Sequence, residues 1–172
     1  TVVALGPGLG CDCDTVMVVR GIVENLDRPL VVDADALNAL ARIGGLGALV
    51  SKPAVMVITP HPGEAGRLLR TTTASVQADR QAAAVRLAEA GVTVLLKGQG
   101  TLVTDGRRLY VNGTGNSGMA TGGSGDVLTG LVAALVAQGM SGFEAAVLAA
   151  HVHGAAGDLA AEQDGETAVT AE

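Results

Sequence analysis

The stretch GVTVLLKGQGTLVTDGRRLYV, residues 91–111, contains a helix stop, a buried strand, a glycine loop and a hairpin in succession. Gly91 closes an amphipathic helical pattern over Ser75–Ala90, as glycine does just past a helix C-terminus. Val92–Leu96 is an unbroken apolar run, which reads as a strand covered on both faces. The run stops at Lys97, and Gly98 and Gly100 follow, where a missing Cβ lets backbone approach a ligand. Thr101–Thr104 and Arg108–Val111 then flank Asp105-Gly106, a hairpin turn signal.

The same alternation extends in both directions. Strands are predicted at Val2–Leu5, Leu30–Val32 and Ala54–Ile58. Helices are predicted near Thr15–Leu26, with Val16, Val19, Ile22, Val23 and Leu26 on one face, and at Ala36–Ala41 and Glu64–Leu69. Ser124–Gln138 and Gly142–Glu162 are the last two, the second with Ser141 as its N-cap. Such alternation predicts an α/β domain with a mostly parallel central sheet and helices on both faces. The 172 residues suit one domain, 1–172. A doubly wound sheet calls for more strands before Thr1, so the expectation is a domain lacking its N-terminal strands.

Composition narrows the function classes. At 48% hydrophobic residues the chain is not disordered. The apolar stretches near 127–137 and 143–161 are interrupted well short of the ~20 residues of a membrane span. Seventeen acidic against eleven basic residues argue against a nucleic-acid partner, which needs clustered Lys and Arg. Residues 1–86 are balanced, so the whole charge of −6 sits in residues 87–172. Cys11 and Cys13 are too few for a disulfide scaffold or a four-cysteine zinc site, and no signal-peptide pattern is visible. The chain reads as a soluble cytoplasmic protein. Its 25 glycines, with Tyr110 and Phe143 as the only aromatics, point to loops that hold a ligand by backbone.

Ligands in such sheets bind beyond the carboxyl ends of the strands. Five unusual loops fall there: 6–10, 33–35, 59–64, 97–101, and 112–116 running into 122–126. In GGSGDVLTG, residues 122–130, small residues precede a helix whose first turn offers unpaired amides to an anion. Asp126 in that turn would repel a phosphate, but it suits a general base beside transferring charge. The plainer alternative is a carboxylate that complements the helix dipole. Lys97, one of two lysines, suits a nucleotide contact or a snorkelling strand end. Asp33 and Asp35 suit a water-mediated Mg²⁺ contact, or Asp35 an N-cap, with equal weight. His61, between two prolines, favours a substrate contact, whereas His151 and His153 favour core or surface roles.

Taken in order, GPGLG (6–10), VVDADALNAL (31–40), ITPHPGEAGRLL (58–69), LLKGQGTLVTDG (95–106), NGTGNSGMATGGSGDVLTG (112–130) and HVHGAAGDLAAE (151–162) resemble the ADP-dependent NAD(P)H-hydrate dehydratase family. That family is a branch of the ribokinase-like superfamily. The resemblance implies a ribokinase-like three-layer fold, lacking its extreme C-terminus as well as its N-terminal strands, and a soluble metabolite-repair enzyme using ADP and Mg²⁺. Its substrate would be the S-epimer of hydrated NADH or NADPH, whose ring hydroxyl is phosphorylated before phosphate leaves. By motif position Asp126 would be the base and Gly125 would lie by the phosphate-binding turn. Lys97, Gly98, Gln99, Gly100 and Thr101 would hold the adenine nucleotide, and Gly8 and His61 the hydrated cofactor. It also implies a homo-oligomer, a tetramer or larger, for which the Ala- and Leu-rich pattern after Ser124 supplies apolar surface. The alternatives are a ribokinase-like ATP-dependent kinase of a vitamin precursor or sugar, and a non-catalytic nucleotide-binding domain.

Overall fold

The computed structural model describes residues 1–45, 47 and 56–171. In chain order the strands are β1 (Val3–Leu5), β2 (Leu30–Val32), β3 (Met56–Ile58), β4 (Thr93–Leu96), β5 (Leu102–Thr104) and β6 (Leu109–Val111). The helices are α1 (Cys13–Asn25), α2 (Ala34–Arg42), α3 (Pro62–Leu69), α4 (Thr73–Ala78), α5 (Arg80–Ala88), α6 (Ser124–Ala137) and α7 (Gly142–Asp164). Among the described residues the six strands form one sheet in simple chain order. β1 to β4 pair in parallel, with Leu5 opposite Val32 and Val32 opposite Ile58. β5 and β6 return as the antiparallel hairpin predicted from Asp105-Gly106.

The strand order dictates the layers. Parallel crossovers are nearly always right-handed, so strands laid down in one direction put their helices on one face. Leu30, Val32, Met56, Ile58, Val94 and Leu96 accordingly pack with buried residues of α1 to α5. The alternate strand residues Val31, Val57, Leu95 and Val103 point the other way, onto Leu128, Val132 and Val136 of α6 and Ala145, Ala146, Ala149 and Ala150 of α7. Successive strand side chains face opposite sides, and both sides are covered, which is why these strands show no polar alternation. The expected helix face Val16, Val19 and Val23 is buried, with Ile22 and Leu26 packed beside it.

Two expectations need adjustment. The helix predicted over Ser75–Ala90 is two helices, because Asp79 leaves helical geometry at φ −146° and ψ 81°. Its carboxylate accepts the Ala82 amide instead, the N-capping preference that makes Asp a poor mid-helix residue. The alanines of α7 near Ala145–Ala150 pack on the sheet rather than forming outer surface, while Val127, Leu148, Val152 and Leu159 remain exposed. Ala54 and Val55 of the third predicted strand lie outside the described residues. Among the described residues no helix is long and apolar enough to cross a membrane.

Candidate functional site

Three of the parallel strands are followed by a polar residue, and these ends converge. Asp33 follows β2, Thr59 follows β3 and Lys97 follows β4. Lys97 Nζ donates to Asp33 Oδ1 at 2.7 Å, and Thr129 Oγ1 of α6 donates to Asp33 Oδ2, also at 2.7 Å. Thr59 Oγ1 lies 3.4 Å from Thr129 Oγ1. Asp33 is 1% exposed, so this chain of contacts is what makes its buried carboxylate tolerable. A carboxylate also leaves the ammonium two further protons to donate.

Lys97 lies under the start of α6. A Cβ placed on Gly125 would lie 3.3 Å from Lys97 Nζ, so the bare glycine brings backbone directly against the ammonium. The α6 N-cap is Gly123, at φ +86°, which has no side-chain oxygen to satisfy the first-turn amides. The Ser124 and Asp126 amides turn to the carbonyls of Thr121 and Gly123, which leaves the Gly125 amide, with the lysine beneath it, suited to an anion such as phosphate.

The neighbouring loops complete a cleft of about 650 Å³, within the ~300–1,000 Å³ of small-molecule sites. It gathers His61, Lys97, Gly98, Gln99, Gly100, Thr101 and Gly125 of the expected set. Asp126 is exposed in the same helical turn as Gly125, and Gly8 is exposed in the loop after β1; neither lines the cleft. His61 is the N-cap of α3, with its Nδ1 accepting the Gly63 amide at 2.9 Å. Glu64 accepts the His61 amide at 2.8 Å and stands 3.4 Å from Nε2, so both ring nitrogens have a neighbour while the side chain stays half exposed.

The N-cap alternative for Asp35 is not what the structure shows. Asp33, not Asp35, is the N-cap residue of α2, and its side chain serves Lys97 and Thr129 instead of the helix. Asp35 Oδ2 accepts the Gly10 amide at 2.8 Å and so ties the 6–10 loop to α2. Gly6 is required in that loop: an added Cβ would sit 1.8 Å from the Asp33 carbonyl oxygen, at φ +135°.

The expected 112–116 loop forms the far wall, but the α7 residues that hold it were missed from the sequence. Residues 112–119 lie along α7: Asn112 donates to the Ala150 carbonyl, and Thr114 Oγ1 to that of His151. Asp158 accepts the Gly115 amide at 2.8 Å and the Asn116 side chain at 3.1 Å, and these bonds hold its carboxyl below the usual range. His153, expected in a core or surface role, lines the cleft with Nε2 3.1 Å from Ser124 Oγ. Burial pushes its pKa below the ordinary 6.5, so it is neutral at neutral pH. The legible signal was Gly154 and Gly157 inside a long helix, where glycine costs about 1 kcal/mol unless something packs there.

That packing gives a direct test. A Cβ on Gly154 would lie 2.7 and 2.8 Å from the backbone carbon and oxygen of Thr114. Gly154→Ala is therefore expected to destabilise the protein by about 1–3 kcal/mol, the range for overpacking. Gly157→Ala is expected to cost less, because its Cβ meets only the flexible Met119 side chain. Chemical denaturation of both variants checks the order.

A family model described as NAD(P)H-hydrate dehydratase matches residues 1–172. The chain belongs to the NAD(P)H-hydrate dehydratase family. It is 50% identical over 173 residues to the bifunctional NAD(P)H-hydrate repair enzyme of Moorella thermoacetica, covering 99% of this chain and 32% of that protein. With the ADP-dependent (S)-NAD(P)H-hydrate dehydratase of Neisseria meningitidis it shares 48% identity over 164 residues, covering 94% of this chain and 55% of that one. The chain thus spans about a third to just over half the length of these curated relatives. The ADP/ATP-dependent NAD(P)H-hydrate dehydratase from Bacillus subtilis, co-crystallised with ATP and Mg²⁺, superposes with a TM-score of 0.86 at 27% identity, over 99% of this chain and 59% of that one. This dehydratase-family fold is ribokinase-like, with the expected mostly parallel sheet between two helical layers.

Proposed function

We propose that this member of the dehydratase family restores NADH and NADPH from their S-hydrated forms, using ADP as phosphoryl donor. The observation that carries the proposal is the Lys97 ammonium set against Gly125 at an uncapped helix N-terminus, inside a nucleotide-sized cleft. The name of the Neisseria relative supports ADP as the nucleotide and the S-hydrate as the substrate.

In this scheme the ring hydroxyl oxygen bonds to the β-phosphorus of ADP, and its proton passes to the Asp126 carboxylate. The bond between that phosphorus and the bridging oxygen breaks, leaving AMP with the electron pair. The ring carbon–oxygen bond then breaks, phosphate departs, and loss of a neighbouring ring proton restores the double bond. Lys97 and the Gly125 amide of α6 neutralise the transferring charge, and Asp126 is one residue from Gly125. Lys97, Gly98, Gln99, Gly100 and Thr101 hold the nucleotide, while Gly8 and His61 contact the hydrated cofactor.

Magnesium belongs to this scheme as a companion of the nucleotide, whose phosphate oxygens supply ligands that proteins commonly do not. Asp33 and Asp35 do not fit as its direct ligands: the first is held by Lys97 and Thr129, the second by the Gly10 amide. Among the described residues no cluster of three or more His, Cys, Asp or Glu is arranged for a metal. A cytoplasmic location and a homo-oligomer, tetramer or larger, are part of the same proposal; the exposed Val127, Leu148, Val152 and Leu159 supply apolar surface for contact between copies.

The test is the recovery of reduced-nicotinamide absorbance from hydrated NADH with ADP present. Recovery with ADP supports the dehydratase. A stable phosphorylated product made from ATP would favour a small-molecule kinase, and no turnover with either nucleotide would favour a non-catalytic domain.

A further inference from the structure

Arg80 opens α5, yet its side chain serves a different element. Nη2 donates to the carbonyls of Leu96 at 3.1 Å and Lys97 at 3.2 Å, and Nη1 donates to the carbonyl of Gln99. All three acceptors belong to the segment that begins at the end of β4 and passes under the cleft. Nε is buried without a partner among the described residues, so the guanidinium is committed to this loop through its two outer nitrogens. The fit is mutual: a Cβ on Gly98, at φ +131°, would lie 3.1 Å from both of those nitrogens.

The consequence follows from peptide geometry. In a trans peptide the carbonyl and the amide of one unit point in opposite directions. With the Lys97 and Gln99 carbonyls on Arg80, the amides of Gly98 and Gly100 point away from it. The Leu96 unit shows the pattern, its carbonyl on Arg80 and the Lys97 amide donating to the Pro60 carbonyl at 2.8 Å. Gly98 and Gly100 both line the cleft, and among the described residues neither amide has a hydrogen-bond acceptor. Two amides without acceptors on the wall of one cleft offer an anion hydrogen-bond donors, as backbone amides do in anion-binding loops. The cation behind them is bonded to carbonyls rather than to a carboxylate, so its charge adds to the attraction.

We propose that Arg80 is a positioning residue for the nucleotide: it turns the Lys97–Gly100 loop so that the Gly98 and Gly100 amides face the anionic part of ADP. This rests on the cleft being the ADP site. A lysine cannot substitute, because one point charge does not span three carbonyls as a planar fork does.

The experiment is calorimetric titration of ADP into wild type, Arg80→Met and Arg80→Lys, with melting temperatures and the KM for hydrated NADH measured alongside. Both folded variants should lose roughly tenfold or more in ADP affinity, as for charge-assisted contacts. Their KM for hydrated NADH should stay within about twofold, since only uniform nucleotide binding is removed. Wild-type ADP affinity in folded Arg80→Met, or in folded Arg80→Lys should the methionine variant not fold, overturns the positioning role. Equal weakening of both ligands also overturns it, by reducing Arg80 to a general structural residue. Absence of ADP binding by wild type is a different failure: it removes the nucleotide site itself, and Arg80's role with it.

Discussion

Asp126→Asn is expected to lower turnover by on the order of 10²–10⁴, the contribution of a positioned acid–base group, while ADP binding survives. Asp126 is exposed in the first turn of α6, and its amide donates to the Gly123 carbonyl at 2.9 Å. No packing depends on its carboxylate, and asparagine preserves the shape. The helix dipole favours the carboxylate by only about 0.3–1 kcal/mol, so stability should change little. A carboxylate beside an anion-binding turn is unfavourable for binding alone, which is the reason to assign it to proton transfer. Steady-state kinetics and titration of the same preparation separate the two effects. Turnover within a few-fold of wild type would return Asp126 to the dipole role.

Lys97→Ala should have the next largest effect, on two observables at once. Removing the ammonium leaves Asp33, 1% exposed, with Thr129 as its remaining partner. Breaking one side of a buried pair typically costs 3–5 kcal/mol. Because Lys97 is 20% exposed, about 3 kcal/mol is the appropriate end of that range. ADP affinity should fall more than affinity for hydrated NADH, since the lost donor lies under Gly125 rather than by His61. Adding Asp33→Asn to Lys97→Ala removes the stranded charge, so stability should recover in part while ADP binding stays weak. Recovery of both together would mean that Lys97 serves the fold and not the nucleotide.

The parts of the protein that follow from chain periodicity were legible in the sequence. Leu30–Val32 is a strand with the predicted bounds, and the Asp105-Gly106 hairpin stands where its turn residues put it. Asp105 shows why: burial opposes its charge, yet the Arg107 and Arg108 amides and the Arg108 side chain hold it down to about 2. Local hydrogen bonding of this kind is encoded by neighbours in sequence. The cleft is legible only where glycine marks it. Lys97 and Gly125 could be singled out, but their contact depends on two segments meeting across the sheet. His153 and Asp158 were marked only indirectly, by Gly154 and Gly157 beside them in α7, and Arg80 carried no mark. Each lies in a regular helix, and its importance comes from the loop packed against it, which no local pattern reveals. The break at Asp79 depends on a single capping residue inside an otherwise continuous amphipathic pattern, which hides it.

The central claim, phosphorylation of the ring hydroxyl before it leaves, is tested most directly by an oxygen label. Hydrated NADH carrying ¹⁸O in the ring hydroxyl is incubated with the protein and ADP, and the inorganic phosphate is collected for mass analysis. Cleavage of the ring carbon–oxygen bond after phosphoryl transfer puts one ¹⁸O in each phosphate, with AMP and NADH formed in equal amounts. NADH formed with unlabelled phosphate, the label appearing in water, would contradict the mechanism even if the protein is a dehydratase.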